Sequence, residues 1–303
     1  MYKNIRAAVM GSINMDFIMS MERMPESGEN IVGKTYSYAN GGKGANQATA
    51  LKKLGADVKM IGKVANDSNG ALLINNLNSL GVDTADISKD GDVTGLAVIM
   101  LDGEGKNRIV VYEGANAQID PKTASKAIDN SLDLLLVQFE TNEEAVTATV
   151  NKAISENVLT VVDCGPAKNF SLEKMQGVTV ITPNESETKA LTGISPDTED
   201  SILAASICLM ERSRAKYVVL KLGSRGCSVW DGNNLKIMPT YPSEVVDTTA
   251  AGDCFTAAMA LELAVSGDIY KACDMGNKAG SIAVSRLGAD ASMPTYDEVL
   301  TIR

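Results

Sequence analysis

LDLLLVQFETNEEAVTATVNKAISENVLTVV, residues 132–162, is the stretch on which the fold turns. Leu132–Val137 is an apolar run of strand length, Glu143–Ser155 carries apolar residues at helical spacing, and Val158–Val162 is a second apolar run. Strands apolar on both faces and separated by an amphipathic helix read as neighbours in a parallel sheet covered on both sides. The unit recurs in both directions. Ala7–Met10, Val58–Ile61, Val178–Ile181 and Tyr217–Leu222 are further apolar runs; Ala45–Leu54, Ala71–Leu80, Ile202–Arg212 and Phe255–Val265 are further helical stretches. The pattern predicts an α/β fold, a doubly wound and mostly parallel sheet flanked by helices, with ligands bound beyond the carboxyl ends of its strands.

Two segments break the rhythm. Residues 17–39 carry turn formers (Pro25, Gly28, Gly33) among short extended pieces, and residues 95–112 read as a hairpin turning at Asp102-Gly103-Glu104-Gly105. Both are expected outside the main sheet, as a small β-sheet lid over a pocket or as structural hairpins. With no internal repeat, low-complexity tract or linker, residues 1–303 read as a single domain carrying that lid.

The chain has 303 residues, 45% of them hydrophobic and 22% charged, as in ordinary soluble globular proteins. A formal net charge of -10 repels phosphate backbones, so nucleic acid is not expected as a partner. An anionic nucleotide remains compatible if backbone N–H groups, a helix N-terminus or a metal ion gather at one spot. The five cysteines (Cys164, Cys208, Cys227, Cys254, Cys273) are scattered and odd in number, which suits a reducing cytoplasm and not a disulfide framework or a CxxC metal site. There is no histidine, so acid–base chemistry falls to a carboxylate or a lysine. The opening MYKNIRAAVMGSINMD lacks a signal-type apolar run, and no segment reaches the ~18 apolar residues of a membrane span. A soluble, cytoplasmic protein without membrane contact is the expectation.

Three motifs carry chemistry. Val246-Asp247-Thr248-Thr249-Ala250-Ala251-Gly252-Asp253 leads into a helical pattern. Its small residues Ala250, Ala251 and Gly252 let backbone N–H groups approach an anion, and Asp253 beside them can take a proton from a hydroxyl during phosphoryl transfer. On its own, Asp253 also fits a plain helix cap. Gly41-Gly42-Lys43-Gly44-Ala45-Asn46-Gln47 starts another helix with a backbone open to a small polar ligand; it is neither a Walker A loop nor a dinucleotide fingerprint, and alone it fits a generic glycine turn. Gly11-Ser12-Ile13-Asn14-Met15-Asp16 follows the first strand, putting Asn14 and Asp16 where such sheets hold ligands, although either also serves in turns.

These blocks, with Gly114-Ala115-Asn116-Ala117, Gln138-Phe139-Glu140, Thr182-Pro183-Asn184-Glu185-Ser186-Glu187 and Leu222-Gly223-Ser224-Arg225-Gly226, resemble the ribokinase family in its order, from near residue 11 to near residue 294. The resemblance implies an ATP-dependent carbohydrate kinase that phosphorylates D-ribose at its 5-hydroxyl. A related sugar (2-deoxyribose, another pentose, a ketohexose or a nucleoside) is the alternative acceptor, and a non-catalytic sugar-binding protein is the alternative from another class. A nicotinamide oxidoreductase would need a dinucleotide fingerprint after the first strand, which is absent.

Residue by residue, the resemblance assigns the sugar to Asn14, Asp16, Gly42, Lys43, Asn46 and Glu140, with Asp253 facing the attacking hydroxyl and Ala250–Gly252 as anion hole. Asn184 and Glu187 match the motif that organises Mg2+ through water. Lys221, Gly223, Ser224, Gly226 and Asn277 match the walls of the nucleotide pocket. A monovalent cation, K+, is implied at Asp247, Thr249, Ala283, Arg286, Gly288 and Ser292, several of them through backbone carbonyls. A homodimer through the lid is also implied. Two blocks depart from the family: Val162-Asp163-Cys164-Gly165-Pro166-Ala167 stands where Asn-Pro-Ala-Pro-Ala is commoner, and Asp253-Cys254-Phe255-Thr256 where Asp-Thr-Phe-Asn is. A helix start could activate the Cys254 thiol, whereas burial would leave it inert.

Overall fold

The computed structural model describes residues 4–166 and 170–303; Ala167, the last residue of the departing block, lies outside them. The strands are β1 (Arg6–Met10), β2 (Asn14–Ser20), β3 (Thr35–Gly41), β4 (Asp57–Ala65), β5 (Ile87–Gly91), β6 (Gly95–Leu101), β7 (Asn107–Tyr112), β8 (Leu134–Gln138), β9 (Leu159–Asp163), β10 (Val180–Thr182), β11 (Tyr217–Lys221), β12 (Cys227–Trp230) and β13 (Leu235–Met238). The helices are α1 (Lys43–Lys53), α2 (Ser68–Ser79), α3 (Pro121–Lys126), α4 (Glu143–Ser155), α5 (Glu185–Thr192), α6 (Glu199–Ser213), α7 (Ala251–Ser266), α8 (Ile269–Ala283) and α9 (Tyr296–Leu300).

Residues 132–162 fold as their pattern predicts. Asn142 caps α4 by accepting the Ala145 N–H at 2.8 Å, and Glu143 and Glu144 occupy the first turn, where the positive helix end favours them. The buried stripe Ala145, Val146, Val150 and Ala153 lies on β8 and β9, which pair in parallel with Leu134 opposite Leu159.

The main sheet runs β13-β12-β11-β10-β9-β8-β1-β4-β5. It is parallel from β11 to β5, and the β12–β13 hairpin adds an antiparallel edge. Successive residues of each strand feed opposite layers. Val9, Leu134, Leu136 and Val161 face α1, α7 and α8, while Met10, Leu135, Val137 and Val162 face α4 and α6. Each fully buried Leu, Val or Met contributes about 1.5–3 kcal/mol relative to exposure, so both layers stabilise the sheet and fix its register.

A second, smaller sheet has the order β3-β2-β6-β7. β2 pairs antiparallel with β3 and parallel with β6, and the β6–β7 hairpin turns where Gly105 N–H donates to the Asp102 carbonyl at 3.0 Å. Its first two strands extend beyond residues 17–39 at both ends, so Asn14 and Asp16 sit on β2 rather than in a loop after β1. The residues that follow β1, β8, β9 and β11 emerge at one edge of the main sheet, where α1 and α7 also begin. The candidate site lies at that edge, where Asn14 at the start of β2 meets Gly42 ahead of α1.

Candidate active site

Asp253 lies in the first turn of α7 with its side chain 6% exposed. Ala250 precedes the helix at φ 59, a left-handed conformation that turns the chain sharply into α7; the Ala251 N–H donates to the Thr248 carbonyl at 3.3 Å, and the Gly252 N–H, in the first turn, lies outside the helical ladder. The Asp253 carboxylate is held from the other side of the cleft. Oδ2 accepts from Asn46 Nδ2 at 3.0 Å, Oδ1 accepts from Gln47 Nε2 at 3.1 Å, and the Lys43 ammonium stands 3.5 Å from Oδ1.

α1 delivers those three residues because its N-terminus is pressed against the end of β1. Gly42 has φ 90, and a β-carbon there would sit 2.8 Å from the Asn14 nitrogen and 2.8 Å from the Ser12 carbonyl oxygen, so only glycine fits. Glu140 accepts the Lys43 N–H at 3.0 Å and the Ser12 hydroxyl, tying the loop after β8 to the same turn. Asn116 donates to Asn14 Oδ1 at 2.7 Å and so fixes the Asn14 amide. Asp16 is enclosed beside Gly41. Burial first, then the charges of Glu140 and Asp290, push its carboxyl up to about 7. Asn46 Oδ1 is buried and has no hydrogen-bond partner among the described residues. An orphaned acceptor beside Asp253 suits a hydroxyl donor from a ligand.

A second group of predicted residues converges next to Asp253. A cleft of about 530 Å³ is lined by Lys43, Asn184, Lys221, Gly223, Ala250 and Gly252, with Asp253 at its base. It joins one of about 480 Å³ that Lys221, Gly223, Ser224, Gly226, Phe255 and Asn277 help line. Asn184 and Glu187 form a reciprocal cap on α5, each accepting the other's backbone N–H, at 2.9 and 2.7 Å. Burial, above all, raises the Glu187 carboxyl despite the neighbouring lysines. The Lys43 ammonium is pushed down by burial, but Asp163, Asp253, Glu187 and Glu140 together hold it above its ordinary value. Asn277 donates to the carbonyls of Met238 and Pro239 at 3.3 and 3.2 Å, securing the cleft wall after β13. Burial likewise pushes the Cys254 thiol well up, which leaves it inert.

The positions suggested for a monovalent cation meet in part. Burial raises the Asp247 carboxyl, but the Thr249 hydroxyl at 2.7 Å, then the Thr249 and Gly288 N–H groups, both at 2.9 Å, donate to it and hold it below the usual range. The Ala283 carbonyl accepts the Arg286 N–H, the Arg286 guanidinium turns away to Glu298 at 2.6 Å, and the buried Ser292 hydroxyl is donated to Ala289. Among the described residues no three His, Cys, Asp or Glu side chains form a metal cage.

The pattern of the pfkB family carbohydrate kinases matches residues 4–296. The chain belongs to that family. The ribokinase of Bacillus subtilis is 36% identical over 294 residues, 96% of this chain and 97% of its own. The ribokinase of Haemophilus influenzae is 34% identical over 295 residues, 96% of each chain. The structure of Arabidopsis thaliana ribokinase complexed with ribose and ATP superposes with a TM-score of 0.88 at 30% identity, covering 98% of both chains. The protein is thus a carbohydrate kinase with the ribokinase-like fold.

The candidate site also contains residues whose part the motifs did not reveal. Gln47 and Asn116 lie inside recognised blocks, and geometry alone shows what they hold. Asp163 ends β9 fully buried, and its only sequence signal is a carboxylate where the family more often has asparagine. Asp290 accepts from Asn40 at 3.2 Å and Asn76 at 2.9 Å, joining the end of β3 to α2.

Proposed function

We propose that this carbohydrate kinase transfers the γ-phosphoryl group of ATP to the 5-hydroxyl of D-ribose, with Asp253 as catalytic base. One observation carries the reading. A buried carboxylate, held by two amides and a lysine, stands in the same turn as the Ala250–Gly252 backbone and opens onto the joined clefts. Phosphoryl transfer demands that juxtaposition of base and anion hole, because its catalysis is positioning plus electrostatics.

Asn46 and Lys43 touch Asp253, Glu140 accepts the Lys43 N–H and Gly42 lies against Asn14; with Asp16, these residues would offer amides, carboxylates and an ammonium to several sugar hydroxyls. A site built from such groups rejects analogues lacking a hydroxyl. The phosphate-side wall of the nucleotide pocket falls to Gly223, Ser224 and Gly226, and its adenine-side wall to Asn277. Mg2+ bound with ATP would neutralise phosphate charge, and Asn184 and Glu187 suit a role reached through water, since their mutual cap leaves no direct cage. K+ beside Asp247, Thr249 and Gly288 would stiffen the turn that presents Ala250–Gly252, with Ala283, Arg286 and Ser292 completing the surroundings.

The second sheet acts as lid and as dimer contact. β3 and β7 expose Tyr36, Tyr38, Ile109, Val110 and Tyr112, apolar edges that a second copy would cover. The described cysteines are all free, as a reducing cytoplasm requires, and no helix among the described residues is long and apolar enough to cross a membrane. The test is ADP release from Mg-ATP with D-ribose, 2-deoxyribose and fructose in parallel. Turnover confined to another sugar would keep the chemistry and discard ribose; silence on all three would favour a sugar-binding protein. A monomeric mass by sedimentation would refute the dimer.

A further inference from the structure

Asp163 is fully buried, yet nothing in the reaction just described uses it. A buried carboxylate is costly unless its lone pairs are filled. Here Oδ2 faces the Lys221 ammonium at 3.0 Å, Gln47 Nε2 at 3.0 Å, the Thr256 hydroxyl at 3.4 Å and Lys43 at 3.7 Å, while Oδ1 accepts the Gly165 N–H at 3.1 Å. Burial pushes the Asp163 carboxyl up, but Lys221 and Lys43 outweigh it and keep the group ionised.

Two of these partners lead onward to the reacting centre. Lys221 lines both clefts, and its Nζ lies 3.9 Å from where a β-carbon on Gly252 would be. The ammonium therefore stands between the buried carboxylate and the small-residue turn. Gln47 gives the same Nε2 to Asp163 and to Asp253 Oδ1. The two carboxylates fix the amide, since both can only accept from its NH2, and Gln138 Nε2 donates to Gln47 Oε1 on the other side at 2.7 Å. One buried oxygen, Asp163 Oδ2, thus anchors a cation facing the anion hole and an amide holding the base.

We propose that Lys221 is a catalytic residue that touches the transferring phosphoryl group, and that Asp163 is the positioning residue that aims Lys221 and, through Gln47, Asp253 at the same atom. This rests on the kinase reading above. In the step, the sugar oxygen gives its proton to Asp253 and forms the new bond to phosphorus. The bond from phosphorus to the bridging oxygen breaks, and its electron pair leaves on the β-phosphate of ADP. Charge spread over the three equatorial oxygens meets an ammonium that Asp163 holds in place before the reaction starts, so little reorganisation is needed.

The test uses the full chain, with Lys221→Met, Lys221→Arg and Asp163→Asn measured beside the wild type on its best sugar. Lys221→Met is expected to lower kcat about 100-fold or more with the sugar KM and the ADP dissociation constant within about threefold. Binding of ADP with aluminium fluoride and sugar, a mimic of the transferring group, should weaken by a similar factor. Lys221→Arg should restore about tenfold of the loss, and Asp163→Asn should cost roughly tenfold in kcat with the same split. A Lys221→Met enzyme within about threefold of wild-type kcat, or one whose loss is equally large in plain ADP binding, would reduce Lys221 to a counter-ion and overturn the proposal. If Lys221→Met does not fold, the isosteric Asp163→Asn decides, and a kcat within about twofold of wild type overturns it. An active wild type with unchanged variants refutes this inference alone, whereas a wild type inactive on every sugar refutes the kinase reading and this inference together.

Discussion

Replacing Asp253 with asparagine removes a base while keeping nearly the same shape. A positioned general base contributes about 10²–10⁴ in rate, which at 1.36 kcal/mol per tenfold is about 3–5 kcal/mol of transition-state stabilisation. The structure adds a second penalty. Asp253 receives Asn46 Nδ2 on one oxygen and Gln47 Nε2 on the other, so the new amide must point its own NH2 at one of these donors. That donor–donor contact, with Lys43 losing one of its two carboxylates, costs about 1–3 kcal/mol in the ordering of the site. Turnover of Asp253→Asn should therefore fall by at least about 100-fold. Lys43 keeps Asp163, and the sugar keeps its other contacts, so the protein should stay folded and still bind sugar. The assay couples ADP release to NADH oxidation, with sugar binding followed by calorimetry. Unchanged turnover in a variant that still binds sugar would refute the assignment of the base.

Asp16 gives a pH signature: its folded carboxyl, raised to about 7, binds a proton more tightly than in the unfolded chain, so its contribution to stability is present at low pH and is lost as pH rises through 7. The thermal midpoint of the sugar-free protein should decline from about pH 4 to 7 and level off above, Asp16→Asn should flatten that slope, and the sugar KM should rise below pH 7 as the acceptor is protonated. Gly42→Ala forces a side chain into a glycine-only conformation against two backbone atoms; a loss of at least about 2 kcal/mol, seen as a midpoint roughly 4 °C lower, is expected. Replacing sodium by potassium should raise kcat while leaving the sugar KM unchanged, and Asp247→Ala should abolish the difference; equal rates in both salts would remove the cation site.

The α/β pattern was legible wherever burial is continuous. β8 reads as a strand because all five of its residues are buried, and α4 begins and ends as predicted because Asn142 supplies a capping side chain at its start. α8 was not anticipated. Its buried positions Ala272, Cys273, Gly276, Ala279 and Ala283 do recur at helical spacing, but they are small residues rather than an apolar run, with Gly276 lying against Phe255. The β12–β13 hairpin is short, and β13 is half exposed. In the site, residues inside compact motifs (Asp253, Lys43, Asn46) were legible because loop and helix start are contiguous in the chain. Asp163 was not, because its partner Gln47 lies 116 positions away and only the sheet brings them together. The start of α1 at Lys43, ahead of the expected Ala45, has a similar cause: glycine propensity argues against helix there, and packing on the end of β1 overrides it.

β7 leaves all six of its residues open to solvent, with Ile109, Val110, Val111 and Tyr112 between 42% and 61% exposed. As a bare sequence, NRIVVY has one charge, no proline and no glycine, which is the composition of segments that zip into fibrils. The same edge therefore has two fates set by geometry. Pairing across a two-fold axis closes the edge and ends growth, whereas pairing by translation leaves a fresh edge at every step. If the proposed dimer closes through this sheet, a substitution that blocks the closed pair without adding charge to β7 should exchange a soluble assembly for an insoluble one, and the colloidal behaviour of the enzyme would then be set by its second sheet.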